Sequence, residues 1–146
     1  MDRNIENLLG YHINVVSHFI QNQYNQKLSE YGLTLAQAKV LYFLSEHGEQ
    51  AQSEMQKRLY IKGSSMNGLV DSMLKKELIL KQQSKEDRRT KLISLTEKGR
   101  EIDGQLWNLI NGTESQLGEG FTPEEQQKMI SWLKKMKQNV ESSQEE

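Results

Sequence analysis

Two successive arginines, Arg88 and Arg89, the acid before them, Asp87, and Asn67 are the side chains here best equipped to meet an anion and read a patterned surface. Arginine offers a planar fork of donors that matches phosphate or an acceptor edge. Asparagine carries a donor and an acceptor side by side, which suits bidentate contact with adenine in the major groove of DNA. Their neighbourhood is basic. From Glu54 to Arg100 twelve lysines and arginines stand against six acids, a balance of +6. The remainder carries −7, so the whole chain is at −1. Net charge alone would argue against a polyanionic partner, and its distribution argues for one. A scattered, solvated surface is the competing account, and charge by itself does not separate the two.

Other chemistries lack their residues. The 146-residue chain contains no cysteine, which excludes thiol catalysis, disulfides and cysteine-based redox sensing. His12 and His18 lie roughly 120° apart round a helix. With His47 they form no metal-ligand spacing, so no metal is expected. There is no glycine-rich phosphate loop, nucleophile elbow or histidine beside a carboxylate pair, so neither an enzyme nor a cofactor is expected. No apolar run approaches the ~20 residues of a membrane span. The opening Met1-Asp2-Arg3-Asn4-Ile5-Glu6 is not a signal peptide, and a cytoplasmic protein is expected.

The elements that must position the basic centre can be read from apolar spacing. Ile5, Leu8, Leu9, Ile13, Val16, Ile20, Tyr24, Leu28 and Tyr31 draw one stripe along a helix over 5–31, ended by Gly32. Thr34 and Gln37 form a capping box for a helix that buries Val40, Leu41, Phe43 and Leu44 and stops at Gly48. A short helix follows from Gln52 to Leu59, weakly capped by Ala51, then a tight connection Tyr60-Ile61-Lys62-Gly63. A second helix runs from Ser64 to Lys76, with Met66, Leu69, Val70, Met73 and Leu74 inward. Two short helices joined by a glycine-containing turn make a helix-turn-helix. Residues 78–83 and 91–95 are β-prone and flank the polar Ser84–Thr90, which reads as a two-stranded hairpin with a charged tip. Thr96 caps a helix carrying Ile102, Leu106, Leu109, Ile110 and Leu117. Thr122-Pro123-Glu124-Glu125 opens the last, whose stripe is Met129, Leu133, Met136 and Val140, and its Glu-rich end, 141–146, is expected to fray.

This order of elements resembles the multiple-antibiotic-resistance regulator (MarR) family. Asp87-Arg88-Arg89 followed by Leu95-Thr96-Glu97-Lys98-Gly99 is similar to that family's wing signature, D-x-R-x5-L-T-x-x-G, with every spacing kept. Arg58-Leu59 to Leu78-Ile79 resembles its helix-turn-helix, and the likeness extends from about residue 5 to 140. Three departures stand out: Lys62 and Gly63 replace a small hydroxyl cap, Gly68 stands where many members carry a larger polar residue, and the cysteine of peroxide-sensing members is absent.

The resemblance implies a mainly α, winged helix-turn-helix fold in a single domain, 1–146. Residues 34–96 would form the DNA-binding lobe with a two-stranded β-wing, and 5–31 and 98–144 mainly the dimerisation helices. It implies a bacterial transcriptional regulator, on the nucleoid when bound to double-stranded DNA, acting as a homodimeric repressor on a near-palindromic operator. Lys62, Ser64, Ser65 and Asn67 would face the major groove. Lys85, Asp87, Arg88, Arg89 and Lys91 would form the wing, with Arg89 in the minor groove and Asp87 holding an arginine in place. Lys57 and Lys75 would contact phosphates. A small aromatic or amphipathic effector would enter a pocket lined by Tyr11, His12, Phe19, Tyr42 and Phe43. A protein–protein adaptor that offers the same basic surface to an acidic partner is the alternative, and the doubly basic wing and Asn67 favour DNA.

Overall fold

A computed structural model describes residues 3–144 of the chain, so Glu145 and Glu146 of the expected frayed end lie outside it. It divides into two compact units, one running to Ile110 and the other from Asn111. In the first, a 3-10 turn over Ile5–Asn7 precedes α1 (Leu9–Leu28), and a second 3-10 turn, Ser29–Tyr31, ends at Gly32 with φ +66°. The single helix expected over 5–31 is therefore three pieces. Leu8 is extended between the first two, and Asn4 caps the opening turn by accepting from the Glu6 amide.

After Gly32 come α2 (Leu35–His47), β1 (Gln50–Ala51), α3 (Gln52–Leu59), α4 (Gly63–Lys75), β2 (Ile79–Gln83), β3 (Lys91–Leu95) and α5 (Glu97–Leu117). The capping box at α2 is complete: Gln37 N donates to Thr34 Oγ1 at 3.3 Å and Thr34 N to Gln37 Oε1 at 3.1 Å. The hairpin is antiparallel with Lys81 opposite Ile93, and a third strand joins it, because β1 pairs with β3 through Gln50–Ile93 and Ala51–Leu92. The sheet order is thus β1-β3-β2.

The core of this unit gathers Val40, Leu41 and Leu44 from α2, Met55 from α3, and Met66, Val70 and Met73 from α4. Leu78 just before β2, Ile79 and Ile93 of the sheet and Leu106 of α5 join it, with Leu28, Leu33 and Ala38 from the chain around Gly32. Spacings of four and three along α4 keep one face of that helix inward, and each fully buried side chain contributes about 1.5–3 kcal/mol. One buried polar group ties the layers. Gln37 donates to Ser72 Oγ at 3.0 Å and accepts from Lys76 Nζ at 3.2 Å, and Lys76 also reaches the Gly32 carbonyl at 2.6 Å.

The second unit holds the end of α5, a turn, and α6 (Pro123–Gln144). Thr122 and Glu125 exchange both hydrogen bonds of a capping box, at 2.9 and 3.1 Å. Gln126 closes the turn by donating to the Gly118 carbonyl at 3.2 Å.

Candidate nucleic-acid interface

The first turn of α4 is exposed: Lys62, Gly63, Ser64, Ser65 and Asn67 all face solvent, whereas Met66 and Val70 behind them are fully buried. Lys62 occupies the cap position with extended backbone and makes no side-chain cap bond. Neither Ser64 nor Ser65 is drawn into capping, and among the described residues their hydroxyls have no protein partner. The first bond inside the helix runs from Met66 N to Lys62 O, so the amides ahead of it are free to meet an anion. Asn67 is engaged. Its Oδ1 accepts from Gln52 Nε2 at 2.7 Å, a partner at the start of α3 that apolar periodicity gives no reason to single out.

The wing tip is held by its own short polar side chains. Ser84 Oγ accepts from the amides of Glu86 and Asp87 at 3.2 and 3.4 Å, and Ser84 N donates to Thr90 O at 2.9 Å. Asp87 Oδ1 accepts from Arg89 N at 3.0 Å and its Oδ2 from Thr90 Oγ1 at 3.2 Å. The acid therefore fixes the backbone of the tip. No ion pair joins it to a guanidinium among the described residues, contrary to the expected arginine clamp. Lys85, Arg88 and Arg89 are exposed, and Lys91 is half-buried at the base of β3.

Not every cation of the basic centre is available. Lys76 is spent on Gly32 and Gln37, and Lys98 Nζ donates to the Lys76 carbonyl at 3.0 Å. Arg58 donates to Gln50 Oε1 at 2.9 Å and lies over the Phe43 ring, 5.8 Å from its centroid. Lys57 makes only an exposed pair with Glu54 at 3.6 Å, and Lys75 faces solvent. Such exposed pairs contribute little, so both ammonium groups stay available to phosphate.

The wing signature doubles as a lock on the fold. Thr96 Oγ1 donates to the Glu77 carbonyl at 2.7 Å and accepts from Gly99 N at 3.0 Å. A Cβ on Gly99 would overlap the Leu78 carbonyl oxygen, so only glycine lets the first turn of α5 settle against the start of the hairpin.

The five aromatic candidates for an effector pocket do not form one cluster. Tyr11 stacks edge-on with His12, Phe19 with His18, and Phe19 is 64% exposed. Tyr42 and Phe43 touch, but they look different ways. Phe43 meets His47 and Arg58, whereas Tyr42 stacks on Trp107 at 5.7 Å with planes 8° apart. That stack borders a hollow of about 330 Å³ lined also by Ser45, Glu46, Asp103 and Gly104. The Asp103 carboxyl is pushed above the ordinary 3.8, chiefly by burial, against the lowering influence of Ser45 and Arg100. His12 Nε2 lies 2.7 Å from the Glu6 carbonyl and His18 Nε2 3.2 Å from Asn22. Among the described residues no group of three or more metal-ligating side chains comes together. No helix there is long and apolar enough to cross a membrane.

With this geometry in place, comparison with known proteins is specific. Residues 33–91 match the sequence profile of the MarR family. The S. aureus MepR–DNA complex superposes with a TM-score of 0.84 at 25% identity, over 90% of this chain and 98% of that one. A mutant MarR from E. coli complexed with operator DNA gives 0.83 at 25% identity, over 93% and 99%. Bordetella bronchiseptica BpsR, whose DNA binding is regulated by 6-hydroxynicotinic acid, shares the fold with a TM-score of 0.86 at 20% identity, over 93% and 97%.

Proposed function

We propose that this chain, a winged helix-turn-helix DNA-binding regulator of the MarR family, acts as a homodimeric repressor on a near-palindromic operator and is released by a small ligand. One observation carries the reading. The exposed first turn of α4 and the Arg88–Arg89 wing tip present uncommitted donors on a lobe whose fold matches two proteins seen on DNA. Lys62, Ser64, Ser65 and Asn67 enter the major groove, and an arginine of the wing, Arg89, enters the minor groove. Lys57, Lys75, Lys85 and Lys91 neutralise phosphates and supply affinity with little sequence choice. Asp87 shapes the tip that carries the arginines.

Two lobes related by a two-fold axis read half-sites ~10 bp apart or a multiple of it. The apolar residues left exposed on α1 and α6 support pairing of two chains. An effector acts by favouring the arrangement whose α4 helices no longer match that spacing. The hollow beside Tyr42 and Trp107 is large enough for one flat ring system, and the ligand-regulated BpsR supports the reading.

The test is binding to A·T-rich palindromic duplexes against random duplex at several salt concentrations, for the wild type and for the Arg88→Ala, Arg89→Ala double variant. Selective binding by two chains per duplex, steep in salt and abolished in the variant with its dimer intact, is the expected result. Unchanged affinity in the variant would remove the wing from the interface. Binding governed by salt alone would turn the basic surface toward an acidic protein partner.

A further inference from the structure

Two neighbouring residues on the hollow beside Tyr42 and Trp107 are poor choices for stability. Gly104 lies inside α5, where glycine weakens a helix relative to alanine. No packing demands it, because nothing stands within 4 Å of the place its Cβ would take. Asp103 is half-buried, and its charged form is disfavoured, chiefly by burial and further by Glu46, against the favourable pull of Ser45 and Arg100. Among the described residues no ion pair joins Asp103 or Glu46 to a base. A missing side chain and an acid short of counter-charge thus border one space. Residues kept against stability at a hollow point to a ligand.

The lining says which ligand. Tyr42, Ser45 and Glu46 come from one face of α2, and Asp103, Gly104 and Trp107 from one face of α5. The space is about 330 Å³, small for a ligand site, and suits one or two fused rings. Trp107 lies parallel to Tyr42 and is still 50% exposed, so a flat ring can join the stack. Indole and phenol faces also attract positive charge. No lysine, arginine or histidine lines the hollow, and two carboxylates do. An acid such as 6-hydroxynicotinic acid, which regulates BpsR, would meet repulsion here and no base.

We infer that this hollow takes a flat aromatic cation, its ring on Trp107 and Tyr42 and its charged nitrogen beside Asp103 and Glu46. The cation supplies the counter-charge that both acids lack, and Gly104 leaves room for its ring. The inference names the chemical class of the effector and rests on the ligand-release reading above.

The experiment is calorimetric titration of the full chain with three probes of similar shape: cationic N-methylquinolinium, neutral methylnaphthalene and anionic naphthoate. Each probe is then added to the complex with the best-bound duplex, and thermal unfolding of every variant is the folding control. The cation should bind about tenfold more tightly than the neutral probe, naphthoate more weakly than either, and the cation alone should release the duplex. Glu46→Gln and Asp103→Asn should each cut the preference for the cation about fivefold and leave affinity for methylnaphthalene unchanged. Gly104→Leu fills open space and should abolish binding of the cation. Glu46 is an exposed side chain, so its variant decides the matter if another fails to fold.

Naphthoate or methylnaphthalene binding as tightly as the cation overturns the inference. A preference for the cation that survives in all three variants places its site elsewhere and overturns it too. Binding of none of the probes removes the hollow as a ligand site. A cation that binds as expected and leaves the duplex in place overturns ligand release alone, and the cation site stands.

Discussion

Two glycines of the first unit, Gly68 and Gly99, make opposite demands, and substituting alanine separates them. Gly99 faces the Leu78 carbonyl so closely that a methyl group forces backbone to move, and Gly99→Ala is expected to cost about 1–3 kcal/mol in denaturant unfolding. Gly68 sits mid-helix in α4, exposed, with nothing near the place a Cβ would take. Gly68→Ala should therefore stabilise by about 0.5–1 kcal/mol. If DNA affinity falls as stability rises, the glycine is there for the duplex. Asp103 yields a pH test at the same scale. Burial raises its folded-state pKa above the ordinary 3.8, so the ionised form is disfavoured on folding. The penalty is absent in acid and accumulates as pH rises from about 3.8 through the folded value. Asp103→Asn should accordingly raise the melting temperature at pH 7 and lose that advantage at pH 3. An equal gain at both would show that charge is not the cause. Single residues such as these were unevenly legible. Gly99 is visible as the end of a spaced signature, whereas the Gln52–Asn67 bond spans fifteen positions and obeys no periodicity.

At the scale of elements, local chemistry was the legible part. The capping boxes at Thr34 and Thr122, the bounds of α3 and the polar tip between two β-prone runs all follow from neighbours within four residues, and all stand in the structure. Two departures share a cause, because each depends on one or two residues that leave the apolar pattern undisturbed. Leu8 turns extended without breaking the stripe that made 5–31 look continuous. The third strand is only Gln50–Ala51, too short for alternation to show, and exists because β3 offers an edge to pair with. The wing tip carries its own prediction. Asp87 holds the Arg89 amide and the Thr90 hydroxyl, so Asp87→Ala loosens the segment bearing both arginines. About 1 kcal/mol of tip ordering per bond, lost at both bonds, should appear as DNA affinity weakened about thirtyfold, with the melting temperature unchanged, since the tip is exposed. A carboxylate whose only effect was to repel phosphate would give the reverse sign, tighter binding in Asp87→Ala.

For the whole molecule the question is what the long helices are for. α1 is divided along its length. Tyr24 and Leu28 pack on the core of the first unit, while Leu9, Ile13, Val16 and Phe19 remain exposed, Leu9 to 70%. In the second unit Ile130, Trp132, Leu133 and Val140 of α6 are exposed as well, and Met129 and Met136 of the same helix are half-buried. A protein that works as one chain rarely leaves so many large apolar side chains in water, and the homodimer proposed above would cover them at no cost in new sequence. Leu9→Asp and Leu133→Asp each place a charge where a partner would press, yet neither touches a buried position of the chain itself. Each variant should stay helical and elute as one chain where the wild type elutes as two. Affinity for a palindromic duplex should fall about a hundredfold, because each half-site must then be held without its tethered neighbour. Affinity for an isolated half-site should be unchanged, since the lobe formed by α3, α4 and the wing is untouched. A variant that remains dimeric clears its helix of the interface, and one that loses half-site binding too would mean that the charge has damaged the lobe itself.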